Sequence, residues 1–449
     1  MKMKRKRIVL GLVLILVINA VAYNQKKWSL EDCINYALEN NIQIKRQVLQ
    51  AEIAEQNNMQ SKYELLPNLN AGLDHTFSSG RSLNTETYNW EDRKNQDGRM
   101  GMSSDLVIFN GFKNYNNIEK TKYDLMSTLS NVDKVKNDIS LQIATSYLQI
   151  LFDEELLEIA KSQLEVTQLH VSKMEKMVEV GNRAKGDLLD IIAQSATEKL
   201  QVTNANNQLK LSILNLTQLL DLDSVGDFSI AIPANLNIEE YNLPTLDVLF
   251  NNALTNFPQI KSSEYYVKSN EKSLAIAKAD RYPSLNLNSL YYTRYNKLAT
   301  DPVTSSADYS YSNQIGDNQY RSLTLSLSVP IFNRRQVYRN VSNAKISLHD
   351  SKYRLNQTKQ VLYKEIQQAY ADAVAALEKY YSAREAVVSN EEAFKYTEQK
   401  FNVGLLSSIE FNEAKNNLTR AKSELTQAKY EYIFKSKILD FYKGEAISL

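Results

Sequence analysis

Apolar residues spaced alternately by four and three run through the stretch 334–401: Leu362, Ile366, Ala369, Ala373, Ala376, Tyr380, Ala383 and Val387. A seam of period 3.5 is the signature of long helices packed side by side. At about 1.5 Å rise per residue, a helix of this length would be on the order of 100 Å long. The same seam stands 223 residues earlier as Ile139, Ile143, Ser146, Ile150, Leu157, Ala160 and Leu164, with Asp153 interrupting it. After Val403-Gly404 a further seam begins: Phe411, Ala414, Leu418, Ala421, Leu425, Ala428 and Tyr432. Val180-Gly181 occupies the matching place in the first half. A glycine between two seams predicts the turn of a helical hairpin.

Elsewhere the period changes to two. Ser29 with Asp32 has the spacing of a capping box, and the helix it opens is expected to continue to about Leu66, where Pro67 stops it. From Pro67 to Ser79 apolar and polar residues alternate, with Leu69, Ala71, Leu73, His75 and Phe77 on one face. A polar loop is predicted for Gly80–Gly98, then a second alternating stretch, Arg99–Phe109. The second half has its own pair, Ser284–Tyr295 and Tyr320–Phe332, around a predicted loop Asn296–Gln319. Period two over about ten residues is the length of a membrane-spanning strand.

The two halves share this grammar residue by residue. Ser29, Leu30, Ala37, Leu38, Gln43, Ile44 and Lys45 return as Thr245, Leu246, Ala253, Leu254, Gln259, Ile260 and Lys261 at an offset of 216; from Phe109/Phe332 onward the offset is 223. Each half therefore reads helix, strand, strand, long helix, turn, helix. The expected organisation is a first repeat over 23–225, a joining segment rich in Asp, Asn and Pro over 226–244, and a second repeat over 245–449. The expected fold class is mainly α with a membrane β-barrel portion. Four strands cannot close a barrel, and an open edge in lipid leaves backbone groups unpaired at several kcal/mol each. The strands of several chains must therefore share one barrel.

Composition adds an address. Lys2, Lys4, Arg5, Lys6 and Arg7 precede the apolar run Ile8–Ile18, and Ala20 and Ala22 form an A-x-A-like cleavage site, so 1–22 is expected to be a secretory signal peptide. Its loss would take the formal net charge from +1 to −4 (1 − 5). A mildly acidic chain without a basic block gives no footprint for nucleic acid. The single Cys33 falls in a helical pattern and is expected to be buried there. No later apolar run reaches the length of a transmembrane helix.

Leu66-Pro67-Asn68-Leu69-Asn70 and Tyr282-Pro283-Ser284-Leu285-Asn286, Leu106-Val107-Ile108-Phe109-Asn110-Gly111 and Val329-Pro330-Ile331-Phe332-Asn333-Arg334, and the two Val-Gly turns followed by acidic residues resemble the TolC-like outer membrane efflux protein family. The resemblance covers essentially the whole chain after the signal. It implies a homotrimer whose twelve strands, four from each of three chains, form one barrel in outer membrane lipid above a periplasmic helical tunnel. It implies an outer membrane exit duct of a tripartite efflux or type I secretion system, passive itself, that lets out drugs, metals, proteins or other solutes. It implies partners as well: a periplasmic adaptor protein and an inner-membrane transporter. The rival class is a soluble periplasmic coiled-coil adaptor or scaffold, which explains the seams but not the paired alternating stretches.

In that family carboxylates six and nine residues past the second turn's glycine ring the pore. Here they are Glu410 and Glu413, with Asp187 and Asp190 at the matching places of the first half. Their plainer reading is solvated acids near a helix start, where they favour the helix dipole. Val180, Gly181, Val403 and Gly404 match the family's adaptor-docking tips, and equally suit any helical turn. One departure stands out. The family's latching Tyr and Arg are here Phe401 and Leu406, which leaves Arg183 and Lys185 as the candidate gate contacts. No cofactor or metal is expected: His75, His170 and His349 lack ligand spacing, and Met174 and Met177, one turn apart, suit seam packing. The run Gly181–Asp187 has the glycine spacing of a phosphate loop but lacks its Lys and Ser/Thr and a preceding strand. The chain is not expected to be an enzyme.

Overall fold

A computed structural model describes residues 27–83, 88–222, 228–233, 244–299, 301, 303, 309–445 and 447–448. The signal-peptide expectation at 1–22 and most of the joining segment 226–244 lie outside these residues. The order of elements is β1 (Lys27–Trp28), α1 (Leu30–Asn40), α2 (Ile42–Tyr63), β2 (Asn70–Leu83), β3 (Trp90–Asn110), α3 (Lys113–Glu179), α4 (Lys185–Leu219), β4 (Ser229–Ile230), α5 (Leu246–Asn256), α6 (Pro258–Ala279), β5 (Ser284–Asn296), α7 (Tyr311–Asp317), β6 (Tyr320–Ser328), α8 (Gln336–Asn402) and α9 (Ser408–Lys443). The long helices α3 and α8 have 67 residues each, and α4 and α9 have 35 and 36. Among the described residues no helix is long and apolar enough to cross a membrane.

Within the described residues the chain divides into two compact units. One takes in the chain up to Leu49, Asn131–Ile260 and Thr358–Leu449, and it is helical apart from the short parallel pair β1–β4. Its core follows the predicted seams: Ile139, Ile143, Ile150, Leu362, Ile366 and Ala373 are buried, as is Cys33. Asp153, the interruption in the seam, is also buried; Ser212 of α4 donates to it, and Gln149 Nε2 donates at 3.0 Å. The buried Tyr147 carries its hydroxyl to the carbonyls of Trp28 (3.1 Å) and Ala231 (2.5 Å), tying both short strands to α3.

The other unit comprises Gln50–Ser130 and Lys261–Gln357 and carries the sheet. Among the described residues its four strands lie in the order β2-β3-β5-β6, all antiparallel, so β2 and β6 are open edges there. The register sets Leu73 beside Met100, Leu285 beside Leu327 and Leu287 beside Leu325. This gives a largely apolar face on which Leu73 and Leu323 are 74% and 71% exposed, with Arg321 lying against the Tyr291 ring on the same face. The opposite face carries Asp74, Arg99 and Arg294 in one row.

Three expectations need correction. The helix predicted from Ser29 to about Leu66 is two helices, because Asn41 turns the chain (ψ 128) and caps α2, its Oδ1 accepting from the backbone of Gln43 at 2.9 Å. The same break recurs at Phe257, where Pro258 supplies a first-turn residue with no N–H to satisfy. The predicted loop Gly80–Gly98 is mostly strand: pairing continues to Leu83↔Trp90. Ladder hydrogen bonds do not require an apolar side, so the alternation ends before the strand does. Within the predicted loop Asn296–Gln319, α7 forms from Tyr311, capped by Ser310.

Candidate functional site

Both helical turns close in the same way. Gly181 and Gly404 adopt φ of +79° and +86°. Asn182 N–H donates to Met177 O (2.8 Å) and Gly181 N–H to Val178 O (3.1 Å); Leu405 N–H donates to Lys400 O (2.9 Å) and Gly404 N–H to Phe401 O (3.0 Å). These paired bonds satisfy the last carbonyls of α3 and α8 and need a left-handed residue, the role of glycine here. Val180 and Val403 project into solvent, 69% and 71% exposed, with Leu405 and Ile409 beside them.

The helices that follow begin differently. Ser407 caps α9 in a capping box: its hydroxyl accepts from Glu410 N, and Glu410 Oε2 accepts from Ser407 N at 3.0 Å. Those bonds from Ser407, backbone first, hold the Glu410 carboxyl below its ordinary range. At the matching cap of α4 stands Ala184, with no side-chain oxygen. Asp187 is therefore free of a box and turns to the second half, where Ser408 Oγ lies 3.3 Å from Asp187 Oδ1 and 2.9 Å from Asp190 Oδ2. Glu413, like Glu410, is exposed.

Arg183 bridges the turns. Its guanidinium donates to Phe401 O (2.8 Å) and Leu406 O (3.3 Å), lies 3.9 Å from Asp187 Oδ2 and stands over the Phe401 ring. A cation on the final carbonyls of a helix is favoured by the helix dipole. Lys185 points to solvent. Behind the turns Met174, Ile191, Phe401 and Phe411 pack into a small core, with the two phenyl rings stacked at 4.5 Å. His170 borders it, 3.7 Å from Glu398, and burial lowers its pKa while Glu398 opposes that shift.

The structure brings Asp187, Asp190 and Arg183 together beside the turns, with a partner, Ser408, that the sequence did not single out, and with bonds that hold Glu410. The Ser407-x-x-Glu410 spacing was a readable signal for the latter. Reasoning along single helices also missed a buried ion pair, Glu198 with Lys415, because each residue looks like one more solvated charge.

The family model for the outer membrane efflux protein matches residues 33–221 and 249–444. The chain belongs to the outer membrane efflux protein family. Curated relatives include the cation efflux system protein CusC of Escherichia coli K12, 22% identical over 417 residues (88% of this chain and 82% of that one). Another is the alkaline protease secretion protein AprF of Pseudomonas aeruginosa, 20% identical over 92% of this chain and 84% of its own. The fold is that of solved family structures: CusC superposes with a TM-score of 0.78 at 17% identity over 95% of this chain and 96% of that one. The Campylobacter jejuni CmeC outer membrane channel gives 0.77 at 18% over 94% and 87%.

Proposed function

We propose that three copies of the chain close their sheets into one outer-membrane barrel and pack their helices into a periplasmic tunnel, making a passive exit duct. The observation that carries this reading is the open four-stranded sheet, apolar and exposed on one face and charged on the other. In water that face and its two free edges would invite aggregation, which disfavours the soluble adaptor or scaffold. In lipid the apolar face is solvated by acyl chains, and only the edges need partners. Two chains would give eight strands, whose interior side chains nearly fill. Three chains give twelve and leave a water-filled lumen for Asp74, Arg99 and Arg294.

In this reading 23–225 and 245–449 are two copies of one unit joined by 226–244, and 1–22 is removed on export. A periplasmic adaptor docks on the exposed tips Val180, Gly181, Val403 and Gly404, and an inner-membrane transporter supplies the energy. Glu410, Glu413, Asp187 and Asp190 face the axis near the entrance, and Arg183, with Lys185 nearby, holds it narrow. The relatives' names span cation efflux and protease secretion, so the shared architecture is a conduit rather than a cargo-specific site. Planar-bilayer recording tests the reading. The wild type should form discrete pores, and Glu410→Gln with Glu413→Gln should lower their preference for cations. A wild type that forms no pores would overturn it.

A further inference from the structure

Midway between α3, α4 and α9 lies a charged cluster withdrawn from water. Glu198 and Lys415 have side chains 1% and 3% exposed, with Lys415 Nζ 3.1 Å from Glu198 Oε1. Thr167 of α3 contacts both partners, and Lys415 also donates to Gln163 O at 3.0 Å. Glu198 accepts further bonds from Gln194 Nε2 (2.9 Å) and Gln163 Nε2 (3.4 Å). Three helices therefore meet in one satisfied polar layer. An apolar layer of the same volume would stabilise the bundle as well or better, because two ions must be desolvated to bury the pair. The pair is thus poorly explained by stability.

Position explains it better. The α9 seam, Phe411, Ala414, Leu418, Ala421, Leu425 and Ala428, repeats an apolar residue at every turn, so a slip of one turn still finds an apolar neighbour. Such a slip would bring Phe411, Asn412, Leu418 or Thr419 to Glu198, and none is a cation. The layer is also absent from the other half. At the 223 offset Lys415 corresponds to Ile192 (415 − 223), and Glu198 to Ala421 (198 + 223). A buried polar residue that costs stability yet sets one register is a known device of packed helices.

We propose that Lys415, Glu198 and Thr167 form a register lock, positioning residues that hold α9 at one height against α3 and α4. The lock thereby sets Ser408 under Asp187 and Asp190, and fixes where Glu410 and Glu413 stand. It is a property of the single chain; only its consequence for conduction rests on the duct reading.

The test uses the full chain in detergent, spin-labelled at the exposed positions Thr203→Cys on α4 and Glu424→Cys on α9, with Cys33 buried and protected. With labelled chains diluted in an excess of unlabelled ones, so that any oligomer carries one labelled copy, the otherwise native chain should give a single narrow distance. Lys415→Met/Glu198→Leu should keep or raise Tm, yet add a second distance displaced by about one helical pitch, ~5 Å. The reversed pair Lys415→Glu/Glu198→Lys should restore one narrow distance. A single narrow distance in the apolar double variant, or a split one in the reversed pair, would overturn the lock. In bilayers the apolar variant should show several conductance levels where the wild type shows one. A wild type without pores would sink the duct, while the label distances still decide the lock.

Discussion

Ala184 and Ser407 occupy matching places, and that one difference sends Asp187 and Glu410 to different partners. Arg183 then ties the turns together through two carbonyls, each such charge-assisted bond worth roughly 1.5–3 kcal/mol. If the turns line the entrance of the proposed duct, Arg183→Ala should loosen it and raise single-pore conductance; an unchanged conductance when Lys185 is also replaced by Ala would remove both from the proposed gate. Lys415→Met alone strands the buried Glu198 carboxylate and should cost about 3–5 kcal/mol, read as a fall in Tm. At the end of α9, burial lifts the Asp440 carboxyl from its ordinary 3.8 to about 6. A raised carboxyl pKa means the folded state holds a proton that the unfolded state releases. The resulting destabilisation is absent below about pH 4, grows as pH rises to about 6, and is complete above. Asp440→Asn should consequently raise Tm by roughly 2–4 °C at pH 7.5 and leave it unchanged at pH 4, as a melting series across pH would show.

Among the elements, the glycines of the turns and of the strand–helix junction have different work. Gly181 has φ +79° with open space around it, so Gly181→Ala meets only the left-handed penalty, about 1–2 kcal/mol. At Gly111, φ +69°, an added Cβ would lie 2.7 Å from Ala279 O and 2.9 Å from Tyr282 Cβ. Gly111→Ala should lower Tm by clearly more than Gly181→Ala, and equal losses would mean that the close approach to α6 is relaxed. The long helices were legible because a 3.5-residue seam leaves a mark at every turn, and Leu362 and Ile366 lie buried where it placed them. The outer ends of β2 and β3 were not, since Arg93, Asn95 and Asp97 pair through backbone with no apolar side to reveal them. The site was half legible. The family resemblance singled out Asp187, Asp190 and Arg183, whereas Ser408 and the Glu198–Lys415 pair depend on which helices touch, and no single helix encodes that.

At the scale of the whole molecule, one sheet decides how chains assemble. Four antiparallel strands with an exposed apolar face end in two free edges, β2 and β6. Closure in lipid requires β6 of one chain to meet β2 of the next. The proposed shared barrel would meet that need and turn the charged face inward on water. The direct test is the protein mass of the complex extracted from outer membranes, measured by light scattering after subtraction of bound detergent. A mass of three chains, falling to one when the β2 and β6 edges are blocked by proline, is the expected result. A monomer or dimer that stays soluble without detergent would contradict the shared barrel.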